Sequence, residues 1–231
     1  MRWKYRKFMI LTSPRSGTHM LRTTLDRHPN AVCLTEMFNP DYTGKAYPFT
    51  EFTPEREILD RYIFCKYPWR VRAVGFCLHR LDARFGKWPD LWKILEDMDD
   101  LAIISLRRVN LLRRFWSFEI RNIQDLANHP PEPRSYDRDR LVADFERQTA
   151  KIKEFDERFA RHPLLPVTYE ELWDNFPPAI QRIQRFLGLP VVALNPGTAR
   201  RLPQRLSEKV INYEQLKQEL AGTPWGAFFD E

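Results

Sequence analysis

A short polar loop near the N-terminus carries the residue types that bind an oxyanion. Residues 13–18 read Ser-Pro-Arg-Ser-Gly-Thr, between an apolar run and a segment with a helical pattern. Free backbone N–H groups and the N-terminal end of the following helix favour negative charge. Arg15 adds a permanent charge with forked donors suited to phosphate or sulfate oxygens, and Gly17 permits close approach of the backbone. The loop therefore predicts an anion site, because a helix cap alone requires neither Arg15 nor Gly17.

The spacing of this loop argues against a nucleoside-triphosphate site. Such a loop reads G-x-x-x-x-G-K-[ST], whereas here Thr12 stands where the first Gly would be and Thr18 follows Gly17. Residues 12–18 instead resemble the phosphosulfate loop of sulfotransferases that use 3′-phosphoadenosine 5′-phosphosulfate (PAPS). The resemblance implies that Arg15, Ser16, Gly17 and Thr18 hold the 5′-phosphosulfate. No metal is expected, because a sulfonate carries less charge than a terminal phosphate.

A second basic turn follows another apolar run. Residues 103–120 read IISLRRVNLLRRFWSFEI, in which Arg107 and Arg108 end the run and Ser117 lies inside the next helical segment. In the family that the first loop resembles, an Arg after a strand and a Ser about two helical turns later hold the 3′-phosphate. The resemblance implies this role for Ser117 and for one of the two arginines, and we favour Arg108. Taken alone, the arginines equally fit a basic helix face in solvent.

Three side chains are candidates for the base that accepts the proton of an acceptor hydroxyl. Glu36 is the first choice, because it follows the second apolar run and so lies at the same sheet edge as the loop. The resemblance supports it, since carbohydrate-type members often have a Glu at this point; the alternative is a surface Glu that caps a turn. His19, in the first turn after the loop, is the second candidate for the base and a candidate nucleotide contact. His79 is the third.

Two further segments resemble the same family. Residues 166–172 read PVTYEEL, and the ring of Tyr169 is expected to pack near the sheet edge. Residues 203–214 resemble the C-terminal part of bacterial members, in which a basic loop closes over the nucleotide. The resemblance implies that Arg201 or Arg205 reaches the 3′-phosphate.

The elements that must position these residues alternate along the chain. Apolar runs predict strands over residues 8–11, 31–34, 72–78, 101–106 and 164–168. The predicted helices cover residues 16–27, 53–64, 89–97, 109–126, 136–160, 176–187 and 207–220, and residues 35–53 are expected to form an irregular loop. This order predicts one α/β domain over residues 1–231, with a mostly parallel sheet of about five strands between helices and a P-loop-like sulfotransferase architecture. Residues 189–231 are expected to cover the nucleotide.

Composition narrows the classes of protein. The net charge of +6 and the pI of about 9.3 suit an anionic ligand. Basic residues are mixed with acidic ones and no nucleic-acid motif is present, so nucleic acid is not an expected partner. Cys33, Cys65 and Cys77 are expected to be buried, reduced thiols, without a metal site. No apolar segment is long enough to span a membrane, and a cytoplasmic location is expected.

These features together predict a PAPS-dependent sulfotransferase that acts on a hydroxyl acceptor, with a carbohydrate or glycoconjugate as the expected class. An ATP-dependent small-molecule phosphotransferase and a non-catalytic basic protein that binds nucleic acid are the alternatives. The oligomeric state stays open, with a homodimer as one option.

Overall fold

The fold is built on one parallel β-sheet. The computed structural model describes residues 5–39, 47–80, 87–120, 132–198 and 205–230. The strands are β1 (Arg6–Thr12), β2 (Ala31–Glu36), β3 (Ala73–His79), β4 (Leu101–Arg107) and β5 (Leu164–Thr168). They lie in the order β2-β3-β1-β4-β5, and all four pairings are parallel. The predicted α/β fold with a parallel sheet is confirmed.

Helices connect the strands. They are α1 (Thr18–Asp26), α2 (Glu55–Glu57), α3 (Leu91–Glu96), α4 (Leu111–Glu119), α5 (Arg138–Arg158), α6 (Tyr169–Asp174), α7 (Phe176–Phe186) and α8 (Tyr213–Glu219). The helix predicted over residues 53–64 is mostly a π-helix, Ile58–Ile63. The helix predicted over residues 207–220 is replaced by a short 3₁₀ turn, Leu206–Glu208, followed by α8. Helix α6 was not predicted, although the Thr168–Glu171 capping box at its start is a helix signal.

The predicted irregular loop begins later than expected. Residues 35 and 36 extend β2, and the described residues 37–39 and 47–53 contain no helix or longer strand. The remainder of the predicted loop, residues 40–46, lies outside the described residues. So do residues 121–126 of the helix predicted over residues 109–126.

Both faces of the sheet are buried, which explains the continuous apolar runs of the central strands. One face, here called the α1 face, carries Phe8, Ile10 and Cys77 and packs against α1 and α7. The other, here called the α5 face, carries Met9 and Leu11. That second face packs against the π-helix, α3 and the C-terminal part of α5.

Contacts between Cα atoms divide the chain into two compact units. The first comprises Met1–Arg107 with Glu154–Ala199 and holds the whole sheet. The second comprises Arg108–Lys153 with Arg200–Glu231 and has an apolar cluster of its own, formed by α4, α8, part of α5 and the C-terminal residues. A single domain over the whole chain stays a prediction. Within the described residues, none of the helices is both long and apolar enough to cross a membrane.

Candidate active site

The predicted anion loop joins the C-terminal end of the central strand β1 to α1. Its N–H groups lie at a tight turn, in which the Ser16 N–H donates to the Ser13 carbonyl at 3.3 Å. The hydroxyl oxygens of Thr12 and Thr18 lie 3.2 Å apart and close the base of the loop. In open α/β sheets this edge, beyond the carboxyl ends of the strands, is where ligands bind. The structure therefore places the predicted loop at a position suited to a ligand.

The backbone of the loop adopts an uncommon conformation. Arg15 has φ of 69° and is the one non-glycine residue with positive φ among the described residues. Such a conformation is rare for a residue with a Cβ and persists where the surroundings impose it, often at binding sites. Gly17 has φ of 91° and forms the N-cap of α1. The loop thus turns through two left-handed residues immediately before the helix N-terminus.

Tyr169 explains why position 17 requires glycine. A Cβ at Gly17 would lie 2.6 Å from Cδ2 of the Tyr169 ring, a distance that only a shift of the ring or the loop could relieve. Tyr169 begins α6, whose first turn is fixed by the reciprocal hydrogen bonds of Thr168 and Glu171. The predicted packing of the Tyr169 ring at the sheet edge is confirmed, and its contact is with the anion loop.

Glu36 reaches the site through an irregularity in β2. Leu34 pairs with Phe76, but Glu36 pairs with Cys77, so that Thr35 is an extra residue in the strand. Paired residues of neighbouring strands point to the same face, and side chains alternate between faces along a strand. Without the extra residue, Glu36 would follow Leu34 to the α5 face. The bulge instead aligns Glu36 with Cys77 and His79 on the α1 face, which is the face of the anion loop's helix.

The Glu36 carboxylate is held at both oxygens. Oε1 lies 3.2 Å from His79 Nε2, and Oε2 accepts a hydrogen bond from Asn39 Nδ2 at 2.9 Å. The side chains of Glu36 and His79 are 20% and 12% exposed, so the pair is largely buried but still partly accessible. The structure thus brings together two of the three candidate bases. The third, His19, lies exposed on the first turn of α1.

The ends of β3 and β4 carry a network of charged groups. Arg80, which is 1% exposed, donates to Ser105 Oγ at 2.9 Å and to the Leu106 carbonyl at 3.4 Å. Ser105 Oγ donates to Asp156 Oδ1 at 2.8 Å, and Arg107 lies 3.7 Å from the other Asp156 oxygen. Burial lowers the pKa of Arg80 to about 10. A shift of this size makes the charged form less favourable by about 3 kcal/mol, so this buried cation is costly.

The second unit contains Arg108 and Ser117, the pair favoured for the 3′-phosphate, whereas the alternative Arg107 belongs to the first unit. Arg108 and Ser117 are half-buried, and Ser117 lies one turn beyond Arg113 on α4. Asn110 caps this helix through a hydrogen bond from the Arg113 N–H at 2.9 Å. Arg114 does not fit the alternative of a solvated basic face, because it is 3% exposed and forms an ion pair with the buried Asp144.

Of the two candidate arginines of the C-terminal segment, only Arg205 lies within the described residues. Arg205 is exposed at the end of a described stretch, and Arg201 lies outside the described residues. The preceding residues 189–198 lie along α1. The His28 ring bonds the Pro190 carbonyl at 2.9 Å, and the Gly197 N–H donates to Thr24 Oγ1 at 2.8 Å. The segment therefore lies against the C-terminal part of α1, where Arg27 also donates to the Pro196 and Gly197 carbonyls.

Several residues of the site were not found from the sequence. No motif marks Asn39, Asp156 or Arg80. Asp156 and Arg80 contact residues that are distant in the chain, and Asn39 lies in an irregular turn. The extra residue in β2 was also missed, because an apolar run does not reveal a bulge. No group of three or more His, Cys, Asp or Glu side chains within the described stretches is arranged to hold a metal ion.

Comparison with known proteins identifies the fold. No protein-family model matches the chain. A crystal structure of a sulfotransferase from Alicyclobacillus acidocaldarius has a TM-score of 0.54 and 18% identity, covering 96% of this chain and 93% of that one. The chain therefore has the sulfotransferase fold, and its loop resembles that of the PAPS-dependent members.

Two curated relatives are similar over nearly their whole length. Nodulation protein H of Rhizobium meliloti (strain 1021) is 27% identical over 243 residues, which cover 96% of this chain and 94% of the relative. Nodulation protein H of Rhizobium tropici is 26% identical over 241 residues, with coverage of 96% and 92%. The likeness thus includes both compact units.

Proposed function

We propose that the protein is a sulfotransferase that moves the sulfuryl group of PAPS to a hydroxyl of a carbohydrate or glycoconjugate. One observation carries the proposal: the anion loop and a clamped carboxylate lie at the same sheet edge. The loop follows β1, His79 ends β3 and Glu36 ends β2, and these three strands are neighbours. Sulfuryl transfer needs this combination of an anion cradle and a base.

The loop residues are proposed to hold the donor end of PAPS. Arg15 would neutralise charge that develops on the bridging and sulfonate oxygens as the bond between them breaks. Ser16, Gly17 and Thr18 would add hydroxyl and N–H donors at the start of α1. His19, on the same turn, is an additional candidate contact. The strained backbone at Arg15 supports this assignment, because such a conformation fixes the direction of the loop's N–H groups.

Glu36 is proposed as the base. The acceptor oxygen attacks sulfur as Glu36 takes its proton, the bond from sulfur to the bridging oxygen breaks, and 3′-phosphoadenosine 5′-phosphate leaves. Each carboxylate oxygen can accept more than one hydrogen bond, so the contacts of Glu36 leave room for the acceptor hydroxyl. His79 stays the alternative base, because its ring is in direct contact with the same carboxylate. The sequence around Glu36, which resembles carbohydrate-type members, supports a sugar hydroxyl as the acceptor.

Arg108 and Ser117 are proposed to hold the 3′-phosphate, with Arg205 as a further contact. Arg107, which lies 3.7 Å from Asp156, stays the other candidate. Ser117→Ala should weaken binding of 3′-phosphoadenosine 5′-phosphate more than binding of adenosine 5′-phosphate. Equal losses for the two nucleotides would contradict the assignment.

A thermal-shift comparison tests the function as a whole. The wild-type protein should be stabilised more by 3′-phosphoadenosine 5′-phosphate than by ATP, and Arg15→Ala should lose this stabilisation. A sulfate-transfer screen over sugars and alcohols with PAPS then identifies the acceptor. Preferential stabilisation by ATP would favour a phosphotransferase. Salt-dependent binding to polynucleotide, without preference for the 3′-phosphorylated nucleotide, would favour a nucleic-acid-binding protein.

The cytoplasmic location, the homodimer and the independence from metal ions stay predictions. Metal independence is tested by sulfate transfer in the presence of a chelator, which should leave the rate unchanged.

A further inference from the structure

Arg80 is a buried cation to which the proposed reaction assigns no role. Its side chain is 1% exposed, and its Nε atom is buried without a hydrogen-bond partner. Its other nitrogens contact a hydroxyl and a carbonyl, which are neutral groups. Buried charges are normally paired directly with an opposite charge, because desolvation is expensive. Arg80 departs from this rule.

Among the described residues, the carboxylate that acts on Arg80 is that of Asp156, and it compensates the charge only in part. Asp156 accepts from Ser105, so that a hydroxyl stands between the carboxylate and the Arg80 guanidinium. The same carboxylate also lies 3.7 Å from Arg107. Two cations therefore share one anion, and the network of these three charged residues carries a net positive charge.

The position of Arg80 relates this charge to the anion loop. The Arg80 N–H donates to the carbonyl of Thr12, the last residue of β1, at 2.9 Å. Its guanidinium reaches Ser105, which pairs with Leu11 on the other side of β1. Arg80 thus passes over the last two residues of β1, and the loop begins at the next residue. At about 3.3 Å per residue, the charge lies on the order of 10 Å from an anion in the loop.

We propose that Arg80 is a buried electrostatic residue that strengthens binding of the anionic nucleotide from beneath the loop without contacting it. The inference rests on the proposed function of the loop. A unit charge at about 10 Å, with an effective dielectric constant of about 20, changes the affinity for a singly charged anion by roughly tenfold. Because the charge is buried, salt screens it less than it screens a surface arginine.

A purely structural role is the competing explanation, since Arg80 also links β3 to β4. The two explanations predict different effects of substitution. Arg80→Met removes the charge but keeps an unbranched apolar stem, and Arg80→Lys keeps the charge. If Arg80 is electrostatic, the Met variant should bind 3′-phosphoadenosine 5′-phosphate about tenfold more weakly, while its melting temperature is unchanged or higher because the desolvation penalty is gone. The Lys variant should retain most of the affinity.

Asp156 provides a test of opposite sign. Asp156→Asn removes the compensating charge and should tighten binding of the same nucleotide by a few-fold. Arg158→Met is the matched control, because it removes an equal charge from an arginine that pairs with Glu96 ahead of β4. It should leave nucleotide affinity unchanged. Uncharged adenosine is the control ligand, and none of the variants should alter its binding.

Isothermal titration of each variant with 3′-phosphoadenosine 5′-phosphate decides the matter. Wild-type affinity in Arg80→Met, or an equal loss in Arg80→Met and Arg80→Lys, would overturn the inference. Weaker binding by Asp156→Asn would also overturn it, and this variant serves even if Arg80→Met does not fold. Failure of the wild-type protein to bind the nucleotide would instead reject the proposed function.

Discussion

Glu36 is oriented by two side chains, one on each carboxylate oxygen. His79 comes from the neighbouring strand and Asn39 from the turn after β2. Both contacts limit the rotation of the carboxylate, and if Glu36 is the base, as proposed, this orientation lowers the entropy lost when the acceptor binds. At the scale of single residues, this clamp is the most specific chemical feature of the protein.

Glu36→Gln keeps the size of the side chain and removes the proposed base. We expect the turnover number to fall by about 10²- to 10⁴-fold, whereas the affinity for 3′-phosphoadenosine 5′-phosphate should hardly change. Steady-state kinetics and nucleotide titration measure the two effects. Glu57→Gln, at an exposed i,i+4 pair with Arg61, should leave both values unaltered. A collapse of nucleotide affinity in Glu36→Gln would mean that Glu36 is structural.

Two substitutions of His79 test whether it orients Glu36 or is itself the base. Gln keeps an N–H donor for the Glu36 carboxylate and Leu does not, so the turnover number should fall only a few-fold in His79→Gln and at least about tenfold in His79→Leu. The Michaelis constant for PAPS should stay the same in both. Equal and severe losses of turnover in the two variants would identify His79 itself as the base.

At the scale of elements, the site depends on how strand ends are joined to the helices that follow them. The loop after β1 reaches α1 through two left-handed residues, and α6 begins directly at the end of β5, where its capping box fixes Tyr169. The Tyr169 ring then packs on Gly17. The loop geometry is therefore set by an element more than 150 residues further along the chain.

Gly17→Ala should disrupt the anion loop. The new Cβ would meet the Tyr169 ring at 2.6 Å and would also disfavour the φ of 91°. We expect a loss of about 2–4 kcal/mol in the free energy of unfolding from overpacking and backbone strain together. Nucleotide binding should be lost as well. Denaturant unfolding and a thermal-shift assay measure the two effects.

Gly188 offers a control that separates strain from collision. It has φ of 68°, but nothing lies within 4 Å of the position of an added Cβ. Gly188→Ala should therefore cost only about 1 kcal/mol, with nucleotide binding intact. If Gly17→Ala behaved like Gly188→Ala in both measurements, Tyr169 would not determine the loop geometry.

At the scale of the whole molecule, the sheet centre is closed to solvent. Cys33 and Cys77 are buried on neighbouring strands, whereas Cys65 is half-buried in an irregular segment. Burial, together with a hydrogen bond to Cys33, raises the pKa of Cys77 well above its ordinary value. A thiol in this environment is a poor nucleophile while the protein is folded.

The rate of alkylation should differ between the half-buried Cys65 and the two buried cysteines. We expect iodoacetamide at mildly alkaline pH to modify Cys65 in the folded protein, and to modify Cys33 and Cys77 only at the rate at which the sheet opens. Mass spectrometry of peptides over time measures each site. Addition of denaturant should remove the difference between the three cysteines. Rapid native labelling of Cys77 would contradict the closed sheet centre.

The sequence by itself determined the alternation of strands and helices and predicted the chemistry of the first loop. Both rest on local signals, since buried parallel strands need continuous apolar runs and the predicted oxyanion loop combines Arg15 with Gly17 at a fixed spacing. Strand β5 and the start of β2 were predicted with the bounds that the structure shows. Helices were predicted less well: α6 was missed although its capping box is a local signal, and the last helix was predicted too long.

The tertiary structure alone decided which residues meet. The bulge at Thr35 turns Glu36 from the α5 face to the α1 face, where it contacts His79. The Tyr169 ring dictates glycine at position 17, and Arg80 spans β1 to reach Ser105. Each of these contacts joins residues distant in the chain through strand register and packing. Register and packing are properties of the folded sheet, so the residue pattern of a single strand cannot specify them.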